Sequence, residues 1–181
     1  MFQLHIKDTE LFDEANETFI LVKGKTLQLE HSLISLSKWE AKWKKPFLTR
    51  EPKTAEEMMS YIECMTITQN VDPIVYTTIT ADQIEAIHKY LEDPMTATRI
   101  KEREGKGKSS KIVTNEEIYY SMIQYGIPFD PCQKWNLNHL LMLIRVCDEK
   151  QRPKKKMSRS ELHRSNHSLN EARKAKYHTR G

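Results

Sequence analysis

The stretch that decides the fold is residues 29–47, LEHSLISLSKWEAKWKKPF. Its large apolar residues recur at steps of three and four, the spacing that aligns one face of an α-helix. These residues are Leu29, Leu33, Leu36, Trp39, Trp43 and Phe47. Polar residues such as Ser35, Lys38 and Glu40 fall between them, and Pro46 follows as a stop signal. We therefore predict an amphipathic helix whose tryptophans anchor either the core or a partner-binding surface, with Trp39, Trp43 and Phe47 as the candidate contacts.

The composition is typical of a soluble protein with a modest core. Hydrophobic residues make up 38% and charged residues 30% of the 181 residues, which suits one domain with a separable tail. No apolar run approaches the length of a transmembrane helix, and residues 1–10 lack the pattern of a signal peptide. We expect no contact with a membrane and a location in the cytoplasm where the chain is made.

No motif points to catalysis or to a bound metal. Cys64, Cys132 and Cys147 are odd in number and form no CxxC pair, which favours reduced thiols over a disulfide framework or a zinc site. The sequence has no GxSxG, HExxH or Walker motif, and His139 or Cys132 would be an isolated nucleophile or base. We therefore predict a protein that is not an enzyme and that needs no cofactor.

Charge is distributed unevenly along the chain. Residues 152–181 contain ten Lys or Arg against two Glu, a net charge of +8, so residues 1–151 carry about −4 of the total of +4. The basic positions singled out as a candidate binding surface are Arg152, Lys154, Lys155, Lys156, Arg159, Arg173, Lys174 and Lys176. Such a tail favours an acidic partner, which can be a nucleic acid, another protein or the body of the chain itself.

The N-terminal residues predict strands. Apolar and polar residues alternate over residues 2–7, and β-branched or aromatic residues fill 18–23 and 26–30. Residues 8–17 resemble a polar turn, and Gly24 between two lysines resembles a hairpin turn. We predict a small antiparallel β-meander.

Four capping-box patterns predict where helices begin. They are Thr54 to Glu57, Thr80 to Gln83, Thr114 to Glu117 and Ser158 to Glu161. Apolar residues follow each at helical spacing, and residues 137–147 form the most apolar helix, which we expect to be central. Met58 and Met59 on the second helix are adaptable side chains that suit either a core or a binding face. The predicted fold is α+β, with the meander followed by a bundle of about five helices and a basic helical tail.

The core domain is predicted to span residues 1–151 and the tail residues 152–181. Within the core, residues 95–111 are charged and rich in Gly and Ser, which indicates a mobile loop, since no strand or P-loop spacing supports a phosphate cradle there. In the tail, Leu162 and Leu169 lie seven residues apart and form a narrow apolar seam for docking. His163 and His167 have a spacing that can hold a metal, but no third ligand accompanies them.

Four blocks of the sequence resemble a known group of proteins. They are LEHSLISLSKWEAKWKKPFL, TAEEMMSYIECMT, WNLNHLLMLIRVC and SLNEARKAKYHTRG, and they span nearly the whole chain. The group is encoded among the virion-assembly genes of long-tailed bacteriophages, and the best-matching type is the tail assembly chaperone. The resemblance implies a non-enzymatic protein of the host cytoplasm that binds the tape-measure protein, or other tail proteins, while the tail forms.

Two alternatives remain open. A structural subunit of the virion neck or head-tail connector would form a homo-oligomer through large subunit contacts. A nucleic-acid-binding protein would use the basic tail for non-specific, salt-dependent binding, although Tyr177 is the only aromatic residue there.

Overall fold

A computed structural model describes residues 1–14, 16–100, 113–152 and 158–178 of the chain. The chain divides into two compact units, Met1–Asp148 and Glu149–Gly181. Residues 101–111 of the predicted loop lie outside the described residues. Residues 95–100 are irregular, and the N–H groups of Met95 and Thr98 donate to Asp93 Oδ1 and Thr96 Oγ1. In the described ranges no helix is both long and apolar enough to cross a membrane.

The predicted fold class, α+β with a small antiparallel β-meander at the N-terminus, is confirmed. The strands are β1 (Phe2–His5), β2 (Thr9–Asp13), β3 (Thr18–Val22) and β4 (Thr26–Leu29). β1 pairs with β4, and β2 pairs with β3, each in antiparallel register. The segment interpreted as a polar turn thus contains a strand, because Leu11 and Phe12 pair across to Ile20 and Phe19.

Gly24 lies directly against the backbone of residues 6–8 and not in a hairpin turn, which corrects the sequence interpretation. β3 and β4 flank it but belong to different two-stranded sheets. A Cβ atom at Gly24 would lie 2.5 Å from the carbonyl oxygen of Ile6 and 2.8 Å from the backbone nitrogen of Asp8. The Gly24 N–H donates to Asp8 Oδ1 at 2.6 Å, so only a residue without a side chain fits this close approach.

Eight helices follow the strands within the described residues, compared with the predicted bundle of about five helices and one helical tail. They are α1 (Leu33–Trp43), α2 (Ala55–Met65), α3 (Ile74–Thr77), α4 (Ala81–Glu92), α5 (Asn115–Tyr125), α6 (Phe129–Cys132), α7 (Leu137–Gln151) and α8 (Arg159–Tyr177). The two additional helices are α3 and α6, which have four residues each. Such short turns leave little periodic signal in a sequence.

Helix α1 is shorter than its apolar spacing predicts. The Ser32 side chain accepts the N–H of Ser35 and caps the helix start, which leaves Leu29 in β4. Lys44 adopts a left-handed conformation with φ of 55° and ends the helix before Phe47. Leu29 and Phe47 are still packed in the core, so the apolar stripe continues past both ends of the helix.

Three of the four predicted capping boxes are confirmed, and one is wrong. Thr54, Thr80 and Ser158 each accept the N–H of the residue three positions later. The Thr114 side chain makes no capping hydrogen bond. Instead, Glu40 Oε2 accepts the Asn115 N–H at 2.9 Å, so a carboxylate of α1 caps the start of α5.

Two apolar clusters form the core, and α1 contributes to both. The first cluster joins Trp39 to residues of the strands, α2 and α4, including Leu27, Leu29, Tyr61, Ile62 and Ile87. The second joins Leu33 and Leu36 to residues of α5 and α7, including Ile118, Met122, Leu137 and Leu140. Helix α7 is less central than predicted, since Leu137 and Leu140 are its only buried residues and its other apolar side chains are half-buried.

Glu40 links these parts of the core. Its side chain is buried although the sequence places it among polar positions of α1. Oε1 accepts the Phe47 N–H at 2.8 Å while Oε2 accepts the Asn115 N–H. One carboxylate therefore satisfies two backbone donors that are 68 residues apart in sequence and that no helix or sheet ladder satisfies.

We expect Glu40→Gln to lower the free energy of unfolding by about 1–3 kcal/mol, because the amide offers one acceptor oxygen and turns its NH₂ group toward a second donor. Urea denaturation followed by circular dichroism measures this loss. The matched control is Glu85→Gln, which removes only an exposed ion pair with Lys89 and should cost less than about 0.5 kcal/mol. Equal effects of the two substitutions would contradict the role assigned to Glu40.

Candidate partner-binding surfaces

The predicted tryptophan contacts lie in an aromatic cluster between α1 and α2. Trp39 is fully buried, and its Nε1 donates to the carbonyl of Glu57 at 2.8 Å. Trp43 is half-buried and donates to Ser60 Oγ at 3.1 Å. Ring centroids are 5.0 Å apart between Trp39 and Phe47, and 4.0 Å apart between Phe47 and Tyr61. Trp39 is therefore a core residue in the folded chain, and the candidate surface retains only Trp43 and Phe47 from this set.

Cations lie over the outward side of this cluster. Lys53 Nζ is 5.3 Å from the centre of the Phe47 ring and 5.9 Å from that of Trp39, while Lys45 Nζ is 5.9 Å from Trp43. Lys45 also donates to Glu57 Oε1 at 2.8 Å, and this hydrogen bond lowers the pKa of Glu57 and raises the pKa of Lys45. The lysine side chains cover aromatic rings that would otherwise face water, so the arrangement stabilises the core.

The methionines of α2 are only partly accessible. Met58 and Met59 are half-buried, and Met59 packs against the first apolar cluster. A side chain that already packs in the core offers a partner only its remaining surface. The α2 face is therefore a minor candidate.

Helix α8 is the most exposed of the predicted candidates. None of its nineteen residues, all of them described, is buried, and Leu162 and Leu169 are 50% and 53% exposed. The basic positions on it, Arg159, Arg173, Lys174 and Lys176, are exposed as well. Arg152 pairs with Glu149 at 2.9 Å, and Lys154, Lys155 and Lys156 lie outside the described residues. The leucine seam and these basic side chains of α8 are thus exposed, with Lys174 Nζ 3.7 Å from Glu171 Oε1.

Sequence reasoning missed the hairpin formed by β2 and β3. Phe12, Phe19, Ile20 and Leu21 are 53%, 72%, 39% and 58% exposed, although they are large and apolar. The rings of Phe12 and Phe19 contact each other, with centroids 5.1 Å apart. The available signal was the unbroken apolar run from Phe19 to Val22, which we interpreted only as a strand.

A second group missed from the sequence is a buried hydrogen-bonded pair. His31 Nδ1 lies 2.6 Å from the hydroxyl of Tyr61, and both side chains are buried. Burial lowers the pKa of His31 to about 4 and raises the pKa of Tyr61 well above its usual value. The backbone carbonyl of His31 accepts the N–H of Leu137 at 2.7 Å. The side-chain pair therefore joins α2 to the segment before α1, and the backbone carbonyl of the same histidine holds the start of α7 there.

The described residues contain no group of three or more His, Cys, Asp or Glu side chains that could hold a metal ion. His163 and His167 are exposed on α8, and His139 is exposed and stacked on Trp135 with centroids 5.3 Å apart. Cys132 is buried, whereas Cys64 and Cys147 are half-buried, and all three are free thiols.

Comparisons of the chain with protein-family models, with curated proteins and with solved structures found no match.

The buried His31 makes stability depend on pH. Its folded pKa of about 4 is below the usual 6.5, so the unfolded chain binds a proton that the folded chain excludes between these two values. The contribution of His31 is fully present above pH 6.5 and is lost as the pH falls toward 4, by up to about 3 kcal/mol. Unfolding free energies measured by urea denaturation from pH 7 to pH 4 test this.

The comparison that isolates His31 uses two variants. His31→Gln should show a shallower decline with falling pH than the parent protein, whatever its absolute stability. His88→Gln changes an exposed histidine of α4 and should keep the decline of the parent protein. If His31→Gln keeps the same slope as the parent, a different group causes the pH dependence.

Proposed function

We propose that this chain is a non-enzymatic bacteriophage assembly protein, most like a tail assembly chaperone, that binds the tape-measure protein in the host cytoplasm while the tail forms. The support is twofold. Four blocks of the sequence resemble such proteins, and α8 is a nineteen-residue helix without a single buried residue. The second observation carries the proposal, because most helices in proteins owe their stability to a packed apolar face.

The surface of α8 suits a helical partner. Leu162 and Leu169 are seven residues apart and therefore lie on one face, about 20° from exact alignment. Arg173 and Lys176 follow Leu169 by four and seven residues, so the same stripe continues as two cations. A partner helix that presents apolar residues followed by acidic residues would match the stripe along its length.

Pairing of α8 with a second copy of itself is less favourable. A parallel pair would place Arg173 opposite Arg173 and Lys176 opposite Lys176, and like charges at a helix interface are destabilising. Two leucines are also a short seam for a stable homodimer. The charge on the stripe therefore favours a different protein as the partner over a second copy of α8 paired in parallel.

A nucleic acid is the second candidate partner, and the exposed cations of α8 favour it. Arg159, Arg173, Lys174 and Lys176 can reach phosphates without rearrangement of the fold. This alternative predicts binding that falls steeply with salt and that does not depend on Leu162 or Leu169. The leucine seam supports the protein partner more directly, since phosphates make no use of apolar side chains.

The test is co-expression of the chain with the tape-measure protein and the tail-tube protein of its own genome, followed by affinity capture. We expect soluble tape-measure protein to be recovered with the chain. Recovery of neither protein, together with ring-copy amounts of the chain in purified virions by mass spectrometry, would support the neck or connector alternative instead. Retention of DNA or RNA that disappears when residues 152–181 are deleted would support the nucleic-acid alternative.

The double substitution Leu162→Ser and Leu169→Ser should reduce capture of the tape-measure protein about tenfold, because it removes the exposed apolar seam. The matched control, Leu162→Met and Leu169→Met, keeps apolar side chains on the same stripe and should retain capture. Neither variant changes a buried residue, so thermal unfolding of the core should stay the same. Undiminished capture by the serine variant would exclude the α8 seam as the contact.

A further inference from the structure

The hairpin of β2 and β3 presents an apolar face that the fold itself does not use. In the paired register, Phe12 faces Phe19 and Glu10 faces Leu21, so these four side chains share one side of the two-stranded sheet. Val22 and Leu11 lie on the other side and pack on the first apolar cluster. The side with Phe12, Phe19 and Leu21 therefore remains in water, with each of the three more than half exposed.

Exposed apolar side chains in such number point to a binding surface. Single apolar residues on a surface are ordinary, whereas contiguous patches of large ones mark interaction sites. Phe12 and Phe19 are in contact, and Leu21 follows Phe19 on the same side of β3. The three side chains thus form one continuous patch.

The strand edges of the hairpin are available as well. Within the described part of the chain, β2 pairs only with β3, and β1 with β4 forms a separate sheet. Each strand of the hairpin therefore has one edge without a neighbouring strand, and an added strand can pair with it. Side chains of such a strand would alternate in direction, and every second one would lie beside the apolar patch.

The negative charge of the hairpin favours a basic segment as its binding partner. Residues 9–22 contain Glu10, Asp13, Glu14 and Glu17 and no Lys or Arg, while Lys7 and Lys23 flank the end of the hairpin away from its turn. Glu10, Glu14 and Glu17 are exposed. A second copy of the chain docking through the same hairpin would bring two sets of acidic side chains together, which is unfavourable. A basic segment would be attracted instead.

We propose that the β2–β3 hairpin binds an extended segment of a partner protein in which apolar and basic residues alternate. The apolar side chains would cover Phe12, Phe19 and Leu21. The basic side chains would point to the other side of the sheet, where those at the turn end of the hairpin would lie near Glu14 and Glu17. This surface has the opposite charge to α8, and the proposal does not depend on which partner α8 binds.

The binding test uses two fluorescein-labelled synthetic peptides, one alternating valine and lysine and one alternating valine and glutamate. Fluorescence anisotropy with the full chain should show binding of the lysine peptide only, weakening as salt is raised. Phe19→Ser with Leu21→Ser should weaken the binding about tenfold or more. Ile123→Ser, which removes a side chain 66% exposed on α5, should leave it unchanged.

A charge variant keeps the test decisive if the serine substitutions disturb the hairpin. Glu14→Gln and Glu17→Gln together leave every apolar side chain in place and should weaken binding of the lysine peptide by about tenfold while reducing its salt dependence. No binding of the lysine peptide, equal binding of both peptides, or binding that survives both variants would overturn the proposal. Self-association of the parent chain in analytical ultracentrifugation that is lost in Phe19→Ser would also overturn it, in favour of a second copy.

Discussion

Helix α1 must remain solvated on one side and bury the other side against two different apolar clusters. Its first half supplies Leu33 and Leu36 to the cluster with α5 and α7, and its second half supplies Trp39 to the cluster with the strands and α2. Phe47, just beyond the helix, packs against both clusters. A single helix thus holds together halves of the core that otherwise contribute separate sets of residues, which is why loss of its packing would affect both.

Polar groups on the buried side of α1 make this arrangement specific. Glu40 accepts two backbone N–H groups. Ser32 and Ser35 are buried and hydrogen-bonded to each other, and the Ser35 hydroxyl donates to the carbonyl of Glu30. Every such group must be satisfied once it leaves water, so few alternative packings are acceptable. The apolar stripe provides most of the burial, and these polar contacts determine which residues lie against it.

The sequence predicted local features well and long-range polar contacts poorly. The capping boxes at Thr54, Thr80 and Ser158 depend on residues three positions apart, so they are visible in a linear pattern. The cap from Glu40 to Asn115 joins residues 75 positions apart, and nothing near either residue indicates it. Strand β2 was missed because the acidic residues around Leu11 and Phe12 gave the segment the composition of a turn.

The candidate surfaces show a related difficulty. Trp39 and Leu162 both occupy apolar positions at helical spacing, yet Trp39 is fully buried and Leu162 is half exposed. The same spacing serves a core helix and a docking helix, because both need one apolar face. Only tertiary structure distinguishes them, and it also reveals that Phe19 and Leu21, which follow an ordinary strand pattern, face water.

The contact between Glu40 and Asn115 fixes the start of α5 from a residue far upstream in the sequence. The Asn115 N–H is bound from α1, and Val113 forms a bridge with Leu48, so the entry point of α5 is fixed by residues far upstream. The start of α5 is thus positioned by residues of α1 and by Leu48, whereas α2 begins at a cap that its own Thr54 and Glu57 supply.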